Sequence, residues 1–144
     1  MNLKNFMLCG LTGWCMEILF TAFGALLRGD SQLMGHTSLW MFPIYGMAVF
    51  IYPVYRKIHK LPLLVRGCLY AAAIMVGEFL SGSILRLLGV CPWDYSNTPN
   101  NIMGLVRLDY FPFWVLAGLF FEELLRKANA QVIDQNSTTR STCH

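Results

Sequence analysis

The sequence predicts an all-α integral membrane protein: a four-transmembrane-helix bundle built as two parallel two-helix repeats. Three observations carry that reading. Hydrophobic residues make up 56% of the 144 positions and charged residues only 13%, where an ordinary soluble domain is roughly 25% charged. The apolar residues fall in four long runs rather than in amphipathic stripes. The two halves of the chain also carry matching landmarks. A net charge of +3 arises from eleven basic residues scattered among eight acids. That leaves no concentrated basic face, so no nucleic-acid partner is expected.

The first run, residues 6–27, contains one charge, Glu17. It is long enough to cross a hydrocarbon core of ~30 Å at ~1.5 Å per residue. Ala22-Phe23-Gly24 loosely imitates a signal-cleavage site, but only Lys4 precedes the run. A central glutamate is foreign to a signal segment, so the run reads as an uncleaved span. The second run, residues 37–55, holds no charge, and the third, residues 63–85, carries Arg66 near its start and Glu78 deep inside. The fourth, residues 108–125, has Asp109 at one end and Glu122 and Glu123 at the other. It spans only if those acidic ends sit in the headgroup zones. Residues 1–130 thus form one membrane domain, and 131–144 a polar tail expected to be disordered.

Pro43 and Pro112 each lie about a turn and a half into their runs. A proline there leaves the carbonyls of Leu39 and Leu108 without helical donors, which predicts a kink in each helix.

Basic residues orient the spans. Lys4, Arg56, Lys57, Lys60, Arg66, Arg126, Lys127 and Arg140 share one side, and Arg28, Arg86 and Arg107 the other. Both termini are therefore expected in the cytoplasm of a multi-pass protein. A glycosylation sequon at Asn136-Ser137-Thr138 provides a check, since modification there would contradict that side. Trp40, Tyr55, Trp93, Tyr95 and Tyr110 fall at span ends, where amphipathic aromatics prefer the interface.

The repeat is visible in two stretches. Leu33-Met34-Gly35 through Leu39, Phe42-Pro43 and Tyr45 align with Ile102-Met103-Gly104 through Leu108, Phe111-Pro112 and Trp114, 69 residues later. Upstream, Glu17 aligns with Glu78 at an offset of 61, Gly10 with Ala71, Leu19 with Leu80 and Thr21 with Gly82. The offsets differ because the second external loop is eight residues longer. Both copies enter from the same side, as parallel repeats do.

The two glutamates are the strongest candidates for function. A charged carboxylate at mid-membrane costs about 2.5–3.5 kcal/mol on insertion scales and normally faces the bundle interior. Glu17 shares its helix face with Gly10, Gly13, Thr21 and Gly24, while Ala73, Gly77 and Ser81 line a face next to Glu78. Such small residues let another helix approach closely. The carboxyls read either as a proton or cation relay or as hydrogen-bonded groups that hold the register of the bundle.

The loop after Arg86 carries Cys91-Pro92-Trp93-Asp94-Tyr95-Ser96. Asp94 is placed to pair with Arg86 or Arg107, or to cap the backbone at Ser96 in an Asx-turn. Cys9, Cys15, Cys68, Cys91 and Cys143 show no metal or disulfide spacing, and His36 faces no evident ligand partner. No metal, cofactor or catalytic residue is assigned. Walker, GxSxG, HExxH and dinucleotide motifs are absent from the sequence.

Trp14-Cys15-Met16-Glu17-Ile18-Leu19-Phe20-Thr21-Ala22, Thr37-Ser38-Leu39-Trp40, Ile44-Tyr45-Gly46, Glu78-Phe79 and the Trp93-Asp94-Tyr95-Ser96 motif followed by Met103-Gly104-Leu105 resemble the transmembrane protein 229 family. The same motif is similar to that of a prokaryotic membrane family described as type IV ABC transporters. The resemblance runs from about residue 6 to residue 127. It implies a small multi-pass protein with the glutamates and the Trp-Asp-Tyr loop in family positions, and any ATP-driven role would need a separate ATPase subunit. Phe42-Pro43 departs from the family pattern.

Three functions compete. The first is a transport or channel component, with the buried carboxylates in a pathway shared by a homo-oligomer. The second is a non-enzymatic accessory protein that binds membrane lipids or a membrane protein partner. The third is a lipid-modifying enzyme using Asp94, Glu17 or Glu78 as acid or base.

Overall fold

A computed structural model describes the backbone of residues 2–141 and the side chains of residues 2–131. Asn136, Arg140 and Cys143 therefore fall, as side chains, outside the described residues.

The chain is mostly helical. Helix α1, Leu3–Leu27, starts where the Asn2 side chain accepts a hydrogen bond from the Lys4 N–H at 3.1 Å. Helix α4, Leu63–Leu87, starts after Pro62, whose fixed φ suits a helix entrance. Both end alike, at a left-handed glycine. Gly29 (φ +85°) donates to Leu26 O and Asp30 to Ala25 O, while Gly89 (φ +70°) donates to Arg86 O and Val90 to Leu85 O. Glycine takes this conformation without the Cβ clash that penalises other residues. These two helices are long and apolar enough to cross a membrane, and only 17% of the apolar window in each is buried within the chain. Their exposed Leu19, Phe23, Val76, Leu80 and Ile84 are the surface a lipid environment accepts and water does not.

The second rod is segmented. Helix α2, Met41–Gly46, passes through a 3₁₀ turn, Met47–Phe50, into helix α3, Ile51–Ile58. The kink expected at Pro43 is not there. Pro43 stands in the first turn of α2, where its missing N–H costs nothing, and Leu39 O already accepts from Phe42 N–H at 3.2 Å. The break comes instead just before Pro53, which has no N–H for the carbonyl of Val49. Pro112 likewise does not kink its helix. It is the second residue of α5, Phe111–Ser141, and Leu108 O accepts from the Phe111 N–H. Helix α5 continues beyond Ala130 as far as Ser141.

Helix α1 packs along α2, α4 packs along α5, and α3 closes against α5. Large side chains sit on glycines at these seams. Phe42 lies over Gly10, Tyr45 over Gly13, Phe6 over Gly46, Val115 over Gly67, and Tyr70 over Gly118. At one end of the molecule Cys9, Ile51, Tyr70, Phe121 and Leu125 form a closed core. At the other end the loop between α4 and α5 folds into a hairpin, β1 Asn101–Ile102 and β2 Val106–Arg107. Its turn places Met103 and Gly104 both at positive φ, the geometry that matches the twist of a tight hairpin.

Candidate functional site

Beyond the closed core, the rods diverge around a cavity of about 810 Å³. Glu17 from α1 and Glu78 from α4 both line it. Rotation of the two helices about their own axes decides this, and the glycine seams set that rotation by drawing α2 onto one face of α1 and α5 onto one face of α4.

Glu17 is held from the loop ahead of α2. Thr37 donates its hydroxyl to Glu17 Oε2 at 2.8 Å. Thr21, one turn along α1, accepts from the His36 N–H at 2.8 Å and donates back to Glu17 O at 2.9 Å, which ties that loop to the helix. Glu78 lies against the Trp114 indole and the Tyr95 hydroxyl, but no bond of ordinary geometry is closed. Its Oε2 is buried without a hydrogen-bond partner, and so is the indole N–H of Trp114; both side chains line the cavity. A buried acceptor left unpaired costs about 1–3 kcal/mol, and the adjacent Trp114 N–H and Tyr95 O–H are donors within the chain that can offset it.

Tyr45, Tyr95, Tyr110, Trp93 and Trp114 form much of the remaining wall. Tyr95 enters from the loop, where burial first and the nearby Glu78 carboxylate second hold its phenol above the ordinary range. Trp93 is fixed from behind: its indole N–H donates to Leu105 O at 3.0 Å, and its ring fills the space beside Gly82.

The other loop residues named from sequence stand behind the wall or at its rim. Asp94 Oδ1 accepts from the Ser96 N–H at 3.0 Å and from the Ser96 hydroxyl at 2.6 Å, the anticipated Asx-turn. It pairs with Arg86 at 3.5 Å rather than with Arg107. Those bonds, with Ser96 first and Arg86 after, hold the Asp94 carboxyl below the usual carboxylate range. Arg86 also donates to Met103 O at 2.6 Å and so pins the hairpin turn. Arg107 lies 4.2 Å from the Tyr110 ring centroid and 5.9 Å from that of Tyr95, and forms an ion pair with Asp109, whose carboxyl is lowered in turn. Pro43 and Pro112 do not line the cavity.

Sequence reading missed three features. Thr37 and Trp114 belong to the site, and the alignment of Tyr45 with Trp114 was the available signal for the latter. A buried network also closes the opposite end. Arg66 reaches both oxygens of Glu122, at 2.8 and 3.0 Å, and Tyr70 donates to Glu122 Oε2 at 2.6 Å. Glu122 is only 3% exposed, its charge taken up inside the chain.

Among the described residues no three His, Cys, Asp or Glu side chains gather as metal ligands. Asp94 faces Ser96 and Arg86 and not the cavity, which leaves it in a structural position. What the cavity can do chemically is hold a proton or receive a positively charged group between two carboxyls and aromatic walls.

No solved structure matches the chain. A family model matches residues 4–143, nearly its full length. The chain belongs to the family described as Putative ABC-transporter type IV.

Proposed function

We propose that the chain is a four-span membrane protein acting as the membrane component of a transport system, with the cavity as its substrate chamber. The observation that carries this reading is a single cavity lined by both intramembrane carboxylates, one of them with an unpaired oxygen. Helices α1 and α4 supply two spans. We assign the third to the rod that starts at Met41. Its uncharged part to Tyr55 rises about 22 Å at ~1.5 Å per residue and is extended towards a full span by the uncharged segment from Thr37. The apolar first part of α5 is the fourth. The basic residues gathered at Lys4, Arg56 to Lys60 and Arg126 to Lys127 put both termini in the cytoplasm. The cavity then opens outward, and the Arg66–Glu122–Tyr70 network lies on the cytoplasmic side.

A duplicated two-helix unit underlies the arrangement, and cross-seam pairs support it. Phe6 against Gly46 in the first half corresponds, at the offsets of 61 and 69, to Gly67 against Val115 in the second. Large and small residues have exchanged sides at one equivalent contact. Thr21 bonded to His36 corresponds to Gly82 packed on Leu105. The motifs shared with the transmembrane protein 229 family extend the same reading to that family. A nucleotide-hydrolysing subunit, where one is used, would be a separate chain.

Reconstitution into liposomes containing a pH-sensitive dye tests the proposal. The wild-type chain is expected to carry protons or a proton-coupled solute, and Glu17→Gln and Glu78→Gln to abolish that flux while eluting as folded protein. Unchanged flux in both variants would remove the carboxylates from the pathway. A second reading, an accessory protein that docks another membrane protein, is favoured by one observation: Gly77 faces outward, with no atom within 4 Å of where a methyl group on its Cα would stand.

A further inference from the structure

We infer that the cavity selects an organic cation: a protonated amine with an apolar body, bound between Glu17 and Glu78. This rests on the cavity being the substrate chamber and adds what the chamber accepts. Charge supports it first. Glu17 and Glu78 line the cavity, and no lysine or arginine does. An anion would meet two carboxyls, and the Arg107 guanidinium at the rim is already paired with Asp109, whereas a cation is attracted to both carboxyls.

The walls agree with the charge. Tyr45, Tyr95, Tyr110, Trp93 and Trp114 present aromatic rings around the carboxyls, and ring faces carry the negative end of a quadrupole that attracts ammonium groups. The protein uses two of these rings in that way already, since Arg107 stacks over Tyr110 and Tyr95 at the rim. A protonated amine brings hydrogen-bond donors to the Glu78 carboxyl, in addition to the Trp114 and Tyr95 donors beside it, and an anion or an ether brings none. Size completes the assignment. A volume of about 810 Å³ falls in the range of sites for drug-sized ligands, roughly 300–1,000 Å³, and is far larger than a bare inorganic cation needs.

Quenching of cavity tryptophan fluorescence by phenethylammonium tests the inference in detergent. Tetraphenylphosphonium and tetraphenylborate serve as a pair of matched shape and opposite charge. Saturable binding of phenethylammonium is expected, with weaker binding of the phosphonium, which carries the charge without a donor, and none of the borate. The Glu17→Gln/Glu78→Gln double variant should weaken both by about tenfold or more. Glu78→Lys, which keeps a charged side chain at the site, should shift preference towards the borate. Equal binding of the borate, or undiminished cation binding in a folded double variant, would overturn the inference. Binding without flux in the liposome assay would instead remove the transport reading and leave the cation site. Proton flux with no cation binding would do the reverse.

Discussion

Glu122 shows how much a single buried residue can depend on its partner. Arg66 is 13% exposed as a side chain and Glu122 4%, so removing the carboxylate strands a guanidinium in a largely dehydrated position. Glu122→Leu is expected to destabilise the chain by about 3 kcal/mol. The double variant Arg66→Met/Glu122→Leu should recover only part of that loss, because an apolar pair replaces both charges while the buried Tyr70 hydroxyl still lacks its acceptor. Thermal unfolding of the four proteins in one detergent reads the cycle, and additive losses would show that the pair is not coupled. Asp94 poses a different case, because it is exposed and its carboxyl is held low. A depressed carboxyl stabilises the fold above its unfolded pKa, about 3.9, and that contribution disappears as pH falls through the folded value. The loop should therefore stay anchored from about pH 8 to about pH 5 and loosen below about pH 4. Asp94→Asn keeps the Asx-turn acceptor without the charge, so a wild-type-minus-variant fluorescence titration should isolate the acid step.

At the scale of helices, the seams depend on where a methyl group has room. A Cβ on Gly13 would overlap the Tyr45 side chain, whereas one on Gly77 meets nothing within 4 Å. Gly13→Ala is expected to cost about 1–3 kcal/mol as α2 is forced off α1. Gly77→Leu should leave the stability of the isolated chain unchanged or slightly raised, since leucine favours a helix over glycine. Unfolding midpoints decide both. Loss of Gly77→Leu protein in cells, with normal stability in detergent, would indicate a partner on that face. The prolines teach a related lesson. Pro43 and Pro112 have the same residue type and run position that suggest kinks, yet each falls in a first helical turn. The effect of a proline depends on where the helix begins, and the apolar runs placed those starts three or four residues too early.

The architecture of the whole molecule separates a dry end from an open one. Cys9, Tyr70, Phe121 and Leu125 pack with the Arg66–Glu122 network at one end, and the carboxylate cavity occupies the other. Single-cysteine labelling, in a background in which the native cysteines are replaced by serine, tests the proposed topology. An impermeant maleimide added to intact cells should reach a cysteine at Asn97 and not one at Lys60, and the reverse pattern would invert the protein. Labelling at both positions would show that α4, which lies between them in the chain, does not separate two compartments.

The apolar runs by themselves determined that the chain is helical and where α1 and α4 lie, because continuous apolar stretches favour helices whose backbone bonds are all internal. Glu17 and Glu78, aligned in the sequence at an offset of 61, do share surroundings, since both line the cavity. The stripe of Gly10, Gly13 and Glu17 marked the inward face of α1, but which neighbours meet it was not legible, since the apolar residues of α1 and α4 carry almost no sidedness. Packing decided that Trp114 stands in the cavity, that Thr37 holds Glu17, and that Arg66 meets Glu122 across 56 residues of sequence. Those contacts depend on helix rotation about the long axis, and rotation is set by the fit of Phe6, Phe42, Tyr45 and Tyr70 onto glycines of neighbouring rods.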